Sequence, residues 1–309
     1  MIVWLWLGCA AQQSKTTVQD TAAPPPETDT VQLDSAERDS GESLPPIDTG
    51  PQDTASADTG SDSEAPLSPC GQIILLEAFG AANRLWRYDI ESGDNAPVLT
   101  PACSGMTALS ANGKGEIFGL NHSEQNLYEI DPATGSCQET ALPTHPDYPD
   151  LQFRGLAFVG SDSSEKLYLS AIESPNARQA LLFDSEAQGL KFIAALAGLT
   201  EEKAFVDLAG TNTGRLFGLH PSNGGSIIKE WAPDTGVLLS NMPTLTPEPT
   251  GWSFVWHEDL FTLFISTQGA HSYVYRFDPN SGALTARPDL PFRVVGAALS
   301  SCAPDESGS

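Results

Sequence analysis

Basic residues are scarce in this chain of 309 residues. It has 15 Lys and Arg against 40 Asp and Glu, which gives a formal net charge of −25 at pH 7. Nucleic acids and anionic lipid headgroups are bound by clustered Lys and Arg. The composition therefore argues against nucleic acid as a partner and against electrostatic attraction to lipid. It fits a soluble, self-repelling protein outside the cytoplasm.

The sequence also lacks the patterns of common catalytic and metal sites. No Gly-x-Ser-x-Gly, phosphate-loop or dinucleotide-binding pattern occurs in a suitable context. The five histidines show no metal-ligand spacing. We therefore expect no metal and no cofactor, and binding is favoured over catalysis.

No apolar run approaches the length of about 20 residues that crosses a bilayer. A short run at residues 2–7 leads into Gly8-Cys9-Ala10-Ala11, and these small residues around a cysteine resemble the lipobox of bacterial lipoproteins. In that family the resemblance implies cleavage before Cys9 and a lipid anchor on its sulfur. The run is shorter than an ordinary signal-peptide core and no Lys or Arg precedes it, as expected if the start codon lies upstream of Met1. Residues 1–9 are thus predicted to be a lipoprotein-type signal segment, with the protein in the cell envelope at the outer membrane or the cell surface.

Residues 10–69 consist largely of Asp, Glu, Ser, Thr, Pro, Gly and Ala. Cys9 to Pro69 contain 12 acidic and 2 basic residues, a net of 2 − 12 = −10. So few apolar side chains cannot offset chain entropy, and we expect a disordered acidic tether. A flexible chain of about 60 residues spans roughly 40 Å, enough to hold a domain clear of lipid headgroups.

One motif recurs along residues 70–303: an apolar strand, then Asp, then a turn with Pro or Gly. Asp89, Asp131, Asp184, Ala232 and Asp278 mark its register, with steps of 42, 53, 48 and 46 residues. This is the length of a four-stranded propeller blade. Asp, Pro and Gly are residues that cap and shape turns, so we interpret these aspartates as turn formers rather than ligands.

A second strand and a small, apolar strand precede each copy of the motif. Small residues suit the innermost strand, where blades converge on the axis. The predicted inner strands lie at residues 106–109, 155–158, 205–209, 252–255 and 295–299. Five inner strands predict an all-β, five-bladed β-propeller at residues 70–303, followed by a disordered tail at 304–309.

The two ends of the repeat region predict how the ring closes. The last inner strand has no second strand after it, whereas residues 71–76 have no inner strand before them. Together they would make one blade, with Cys70 and Cys302 close enough for a disulfide. Cys103 and Cys137 would then pair, although Cys70–Cys103 and Cys70–Cys137 are alternatives. Disulfides need the oxidising compartment that export provides.

The Tyr-x-Ile-Asp-Pro-x-x-Gly copy at residues 128–135 and the Gly-Leu-Ala-Phe strand at residues 155–158 resemble propellers of the NHL and SMP-30-like kind. The resemblance covers about three quarters of the chain and implies the fold. Lactonases of the SMP-30-like kind hold a divalent metal with acidic and amide side chains. Here only Asp207 comes near that set, so we do not transfer their activity.

Candidate site residues lie where the chain approaches an inner strand around the central funnel. Arg154 and Arg293 occupy matching places in two blades and could grip a carboxylate or sulfate, or each could pair with a nearby acid such as Asp150 or Glu202. Asp207 is the only acid within a predicted inner strand. Trp252 is either a stacking platform or a core residue.

These observations favour a surface-tethered binding or interaction propeller whose partner is an unidentified protein, glycan or small molecule. An extracellular hydrolase or lactonase acting on a small ester or glycan, with Asp207 as base or metal ligand, is the alternative. A structural envelope protein without a soluble ligand is a second alternative.

Overall fold

In the part of the chain that the computed structural model describes, twenty β-strands form five antiparallel four-stranded sheets. The structure describes residues 72–79, 82–160, 165–173, 180–186, 189–199, 205–222, 224–244, 246–267 and 269–299. All of these belong to one unit, Asp62–Ser309. The predicted signal segment with Cys9, the tether, Cys70, Cys302 and the predicted tail lie outside the described residues. Within the described ranges, no helix has the length and apolar character needed to span a membrane.

Each sheet is one blade, given from its inner to its outer strand. Blade 1 consists of β4 (Ala108–Ala111), β5 (Ile117–Asn121), β6 (Asn126–Ile130) and β7 (Cys137–Ala141). Blade 2 consists of β8 (Leu151–Val159), β9 (Lys166–Glu173), β10 (Ala180–Glu186) and β11 (Gly189–Ala195). Blade 3 consists of β12 (Asp207–Gly210), β13 (Leu216–Ser222), β14 (Gly225–Trp231) and β15 (Leu238–Thr244). Blade 4 consists of β16 (Gly251–His257), β17 (Leu260–Ser266), β18 (Ser272–Phe277) and β19 (Leu284–Leu290). Blade 5 consists of β20 (Val294–Leu299), β1 (Ile73–Phe79), β2 (Ala82–Tyr88) and β3 (Asn95–Leu99).

Blade 5 combines both ends of the propeller, which confirms the predicted closure. Its inner strand β20 comes from the end of the chain and pairs with β1 from the start, as at Ile74 and Ala298. Asn83 then joins this blade to blade 1. Its Nδ2 donates to the carbonyl of Met106 at 3.2 Å, and its Oδ1 accepts from the Met106 amide at 2.9 Å. These bonds satisfy buried groups at the interface between blades 5 and 1.

The five inner strands surround the axis in the order β4, β8, β12, β16 and β20, and β20 returns to β4. Small residues are required where neighbouring inner strands touch. A Cβ added to Gly155 of β8 would lie 2.6 Å from the carbonyl oxygen of Val206, next to β12. A Cβ on Gly296 of β20 would lie 2.8 Å from the amide nitrogen of Leu109 in β4. Small residues are thus required at these two positions, whereas the inner strand β16 of blade 4 carries Trp252, Phe254 and Trp256.

Apolar residues fill the interface between each pair of neighbouring blades. Trp231 packs with Leu182 between blades 2 and 3, and Phe217 packs with Phe261 between blades 3 and 4. The other three interfaces have clusters of the same kind. Burial of these side chains is the main favourable term that holds the ring together.

The motif turns lie on the face where the inner strands end, which we call the bottom face. Asp89 Oδ1 accepts hydrogen bonds from the backbone amides of Glu91 and Ser92 at 2.9 and 2.7 Å. Asp131 and Asp278 cap their turns in the same way. Asp184 corrects the prediction, because it lies within β10, is buried and forms an ion pair with Lys166 at 2.9 Å. In this blade β10 continues to Glu186, so the motif aspartate is a strand residue.

A disulfide joins Cys103 and Cys137, as predicted. It links the segment before β4 to β7, and therefore the two edges of blade 1. A Cys70–Cys302 disulfide remains a prediction, since both residues lie outside the described part of the chain.

Candidate functional site

A pocket of about 250 Å³ lies on the axis at the face where the inner strands begin, which we call the top face. All five blades contribute to it. Its lining residues are Thr107, His122, Arg154, Phe205, Val206, Asp207, Thr250, Gly251, Trp252, Arg293 and Val295. The four candidates predicted from the sequence, Arg154, Asp207, Trp252 and Arg293, are therefore brought together in one place.

Arg154 reaches the pocket because β8 has a β-bulge. Phe153 pairs with Ala171 and Gly155 pairs with Ser170, which leaves Arg154 as the extra residue. A bulge re-aims the side chain of its extra residue. Arg154 Nη2 donates to the Gln152 side chain at 2.6 Å.

The surroundings of Arg154 leave part of its guanidinium free. Its Cζ lies 4.8 Å from the centroid of the Phe205 ring. Burial lowers the pKa of Arg154 from its ordinary value, but a guanidinium stays charged in proteins. Its Nε is buried without a hydrogen-bond partner. The described contacts are thus with Gln152 and Phe205 rather than with Asp150, and Glu202 lies outside the described residues.

Arg293 precedes β20 and lies against the backbone of blade 4. Its Nη2 donates to the carbonyl oxygen of Thr250 at 2.9 Å, and its Nε is buried without a partner. The absence of a side chain at Gly251 makes room for it, because a Cβ there would lie 3.1 Å from Nη2. Among the described residues, neither Arg293 nor Arg154 forms an ion pair with an acid. Both cations therefore have unused hydrogen-bonding capacity in the pocket.

Asp207 begins β12 and is 8% exposed. Its Oδ2 accepts a hydrogen bond from the Ser253 hydroxyl at 2.8 Å, and its Oδ1 accepts one from the Leu208 amide at 3.0 Å. Burial raises the pKa of Asp207 to about 7, although the hydrogen bonds from Ser253, Leu208 and Phe254 oppose the rise. The carboxyl group is therefore divided between its neutral and charged forms near neutral pH.

Trp252 lies in β16 and is half-buried. Its indole Nε1 donates to the carbonyl oxygen of Leu219 at 3.0 Å, which holds the ring across the top of blade 3. One part of the ring packs against the apolar core between blades 3 and 4, and another lines the pocket. Trp252 thus has a part that packs in the core and a part that faces the pocket, and its role as a stacking platform stays a prediction.

Sequence reasoning missed His122, which follows β5 at the top of blade 1. Its Nδ1 lies 3.0 Å from the Thr107 hydroxyl. Burial and, to a lesser extent, the charge of Arg154 lower the pKa of His122. The available signal was the hairpin: β5 runs antiparallel to β4, so the end of β5 reaches the same face as the start of β4.

The arrangement suits an anion. Two guanidinium groups, a largely neutral imidazole and a half-neutral carboxyl group meet on the axis of an acidic protein. Within the described ranges, no group of three His, Cys, Asp or Glu side chains could hold a metal ion. The top pocket therefore offers charge and hydrogen-bond donors rather than metal ligands.

A larger cavity of about 680 Å³ lies at the bottom face, between blades 4 and 5. Its lining includes Asp89, Glu91, Asp94 and Glu258, so acidic side chains outnumber basic ones. It is off the axis and belongs to two blades. The top pocket is the candidate site because its charges contrast with the rest of the protein and all blades build it.

Comparisons with known proteins add no functional assignment. The sequence matches no protein-family model and no curated protein. A chain in the crystal structure of a nidogen/laminin complex is similar with 11% identity and a TM-score of 0.46, over 75% of this chain and 87% of that chain. Glutaminyl cyclase from Myxococcus xanthus is similar with 17% identity and a TM-score of 0.39, over 64% of this chain and 71% of that chain. The fold assignment rests on the strand pairing described above.

Proposed function

We propose that this protein is a lipid-anchored binding propeller of the cell envelope, whose top pocket binds a small anion. The observation that carries the proposal is the pair Arg154 and Arg293. Both line one pocket, and among the described residues neither is paired with an acid, in a chain with 40 acidic residues. Guanidinium groups with free donors are suited to carboxylate and sulfate.

The five-bladed fold supports an interaction or binding domain. The tether and the anchor at Cys9 belong to this proposal on the strength of the sequence pattern, as do the resemblance to NHL and SMP-30-like propellers and the location at the outer membrane or cell surface. A flexible acidic tether would hold the top pocket away from lipid headgroups, where a soluble ligand can reach it.

The anion site is tested by calorimetric titration of the protein with acetate, benzoate and sulfate. Arg154→Gln and Arg293→Gln should each weaken the binding of the preferred anion about tenfold, the loss of a charge-assisted hydrogen bond worth about 1.5–3 kcal/mol. Arg276→Gln is the matched control. Arg276 does not line the pocket, and its Nη1 lies 3.1 Å from Oε1 of Glu91. Undetectable binding of every anion, or equal losses in the control, would refute the site.

The anchor is tested by labelling cells with a radioactive fatty acid. The wild-type protein should carry the label, and Cys9→Ser should lose it. A wild type without label, or a labelled Cys9→Ser variant, contradicts lipidation and leaves the pocket unaffected.

One observation favours a second candidate, a hydrolase or lactonase. Asp207 lies in the pocket with a pKa of about 7, the range in which a carboxylate serves as a general base. Its oxygens already accept from Ser253 and Leu208, which reduces its capacity to accept a substrate proton. Hydrolysis of small esters or lactones by the wild type that is lost in Asp207→Asn would favour the enzyme.

A further inference from the structure

Apolar side chains share the top pocket with the two arginines. Phe205, Val206, Trp252 and Val295 form what we call the apolar wall of the pocket. Phe205 is 38% exposed, more than any other Phe, Tyr or Trp side chain that the structure describes. A bare inorganic anion would leave this wall in contact with water. An apolar group placed against it gains about 25 cal/mol for each Å² removed from water.

Two features hold the apolar wall in a fixed shape. The hydrogen bond from Trp252 to the Leu219 carbonyl uses the indole donor, so a ligand meets the ring of Trp252 as an apolar surface. Val295 is the extra residue of a second β-bulge, because Gly296 pairs with Leu76 and Val294 pairs with Glu77. A side chain held in place before binding loses little entropy when the ligand arrives.

The cations lie directly beside this wall. Arg154 stacks on Phe205 with 4.8 Å from Cζ to the ring centroid, so charge and aromatic surface are adjacent. The face of the guanidinium is covered by the ring, and its Nη1 makes no hydrogen bond with the described residues, so it is left for an acceptor. A ligand that contacts both the guanidinium group and the Phe205 ring must therefore carry its negative group next to an apolar group.

Hydroxyl groups of the pocket are already engaged within the protein. Thr250 Oγ1 donates to the Thr267 carbonyl at 2.6 Å, and Thr107 Oγ1 contacts His122 Nδ1 at 3.0 Å. Few free donors and acceptors remain for a ligand with many hydroxyl groups, such as a sugar acid. The volume of about 250 Å³ is also below the range of roughly 300–1,000 Å³ that accommodates drug-sized molecules.

We infer that the ligand of the top pocket is a small monocarboxylate with one aromatic or alicyclic ring. Its carboxylate lies at Arg154 and Arg293, and its ring lies on the apolar wall. This inference rests on the proposed anion site and adds the chemical class of the anion.

The experiment is a calorimetric titration of the full-length protein with five probes at one pH and ionic strength. Benzoate and cyclohexanecarboxylate should bind at least about tenfold more tightly than acetate and glucuronate, a difference of about 1.4 kcal/mol. Benzamide, which has the ring but not the charge, should bind about tenfold more weakly than benzoate.

Two variants separate the wall from the charges. Val295→Thr keeps the shape of the side chain but replaces one methyl group by a hydroxyl group, and should weaken benzoate binding severalfold while acetate binding is unchanged. Arg293→Gln should weaken both. Trp252→Leu should likewise weaken benzoate binding and leave acetate binding unchanged. If Trp252→Leu does not fold, the result for Val295→Thr tests the apolar wall by itself.

The outcomes distinguish the inference from the proposed function. Acetate or glucuronate binding as tightly as benzoate overturns the ring requirement and leaves the anion site in place. Benzamide binding as tightly as benzoate, or the absence of binding by any carboxylate, overturns the anion site and the inference with it.

Discussion

The hydroxyl of Ser253 in blade 4 donates a hydrogen bond of 2.8 Å to the carboxyl group of Asp207 in blade 3. Ser253 has no solvent exposure, and Asp207 is 8% exposed. This bond therefore joins two inner strands at the floor of the top pocket, and it links the charge state of the site to the stability of the ring.

The stability of the protein should depend on the charge of Asp207. Its pKa of about 7 in the folded protein exceeds the value of about 3.9 in an unfolded chain. Folding thus favours the neutral form. The stability that neutral Asp207 contributes is complete below about pH 4 and is lost as the pH rises through about 7. As the pH rises from 5 to 8, Asp207→Asn should gain about 2.7 kcal/mol of unfolding free energy relative to the wild type, because about two pH units of this range lie below the pKa of about 7 and each corresponds to about 1.36 kcal/mol.

Urea denaturation at pH 5 and pH 8 measures this gain, with Asp289→Asn on the exposed face of β19 as the control. An equal difference between Asp207→Asn and wild type at both pH values would show that Asp207 does not titrate in this range.

Anion affinity should rise as the pH falls. Above about pH 7 the charged Asp207 repels an anion, and below it the neutral carboxyl group does not. His122, whose pKa is lowered by burial and by Arg154, adds positive charge only at a lower pH, while Arg154 and Arg293 stay charged throughout. Benzoate titrations from pH 5 to pH 8 should show this trend, and Asp207→Asn should remove the step near pH 7. A wild-type affinity that is constant over this range contradicts the prediction.

Gly251→Ala should weaken anion binding without unfolding the protein. The new Cβ would lie 3.1 Å from Nη2 and 3.2 Å from Nε of Arg293, so the guanidinium group has to shift. We expect a severalfold loss of benzoate affinity. Gly282→Ala is the opposite control: its Cβ meets no atom within 4 Å but its φ is +72°, which costs about 1 kcal/mol of stability. Calorimetry and thermal melting of both variants should show the two effects separately.

Asn83→Ala should destabilise the interface between blades 5 and 1. The variant leaves the buried amide and carbonyl of Met106 without their partner in blade 5. Each unsatisfied buried group costs about 1–3 kcal/mol, so a loss of about 3 kcal/mol is expected. Guanidinium denaturation measures it, and Asn241→Ala on the outer strand β15 serves as the control. Equal stability of both variants would show that the Asn83 hydrogen bonds do not stabilise the interface between blades 5 and 1.

The repeat was readable from the sequence because each blade is a local structure. Alternating apolar residues and capped turns involve neighbours within a few positions, as at Asp131 and Ala133. The same local pattern failed at Asp184, where an ion pair with Lys166 on the neighbouring strand makes a buried strand position acceptable for an acid.

The candidate site could be predicted only in part from the sequence. Arg154, Asp207, Trp252 and Arg293 could be proposed because the inner strands of a propeller begin at one face, and all four line the top pocket. The role of His122 was missed, since it depends on which strand end it reaches. The aim of Arg154 depends on a bulge in β8, and no residue pattern in that segment indicates where a strand pair loses register.

The sequence alone determined the number of blades, the blade formed from both chain ends and the four site candidates, whereas the structure decided among the alternative pairings in favour of Cys103–Cys137. Periodicity, turn chemistry and spacing are properties of the chain itself. Only the tertiary structure decided which donors stay unpartnered, how Trp252 is held and how strongly Asp207 is desolvated. These properties arise where five distant segments meet on one axis, and they depend on atomic distances that spacing along the chain does not specify.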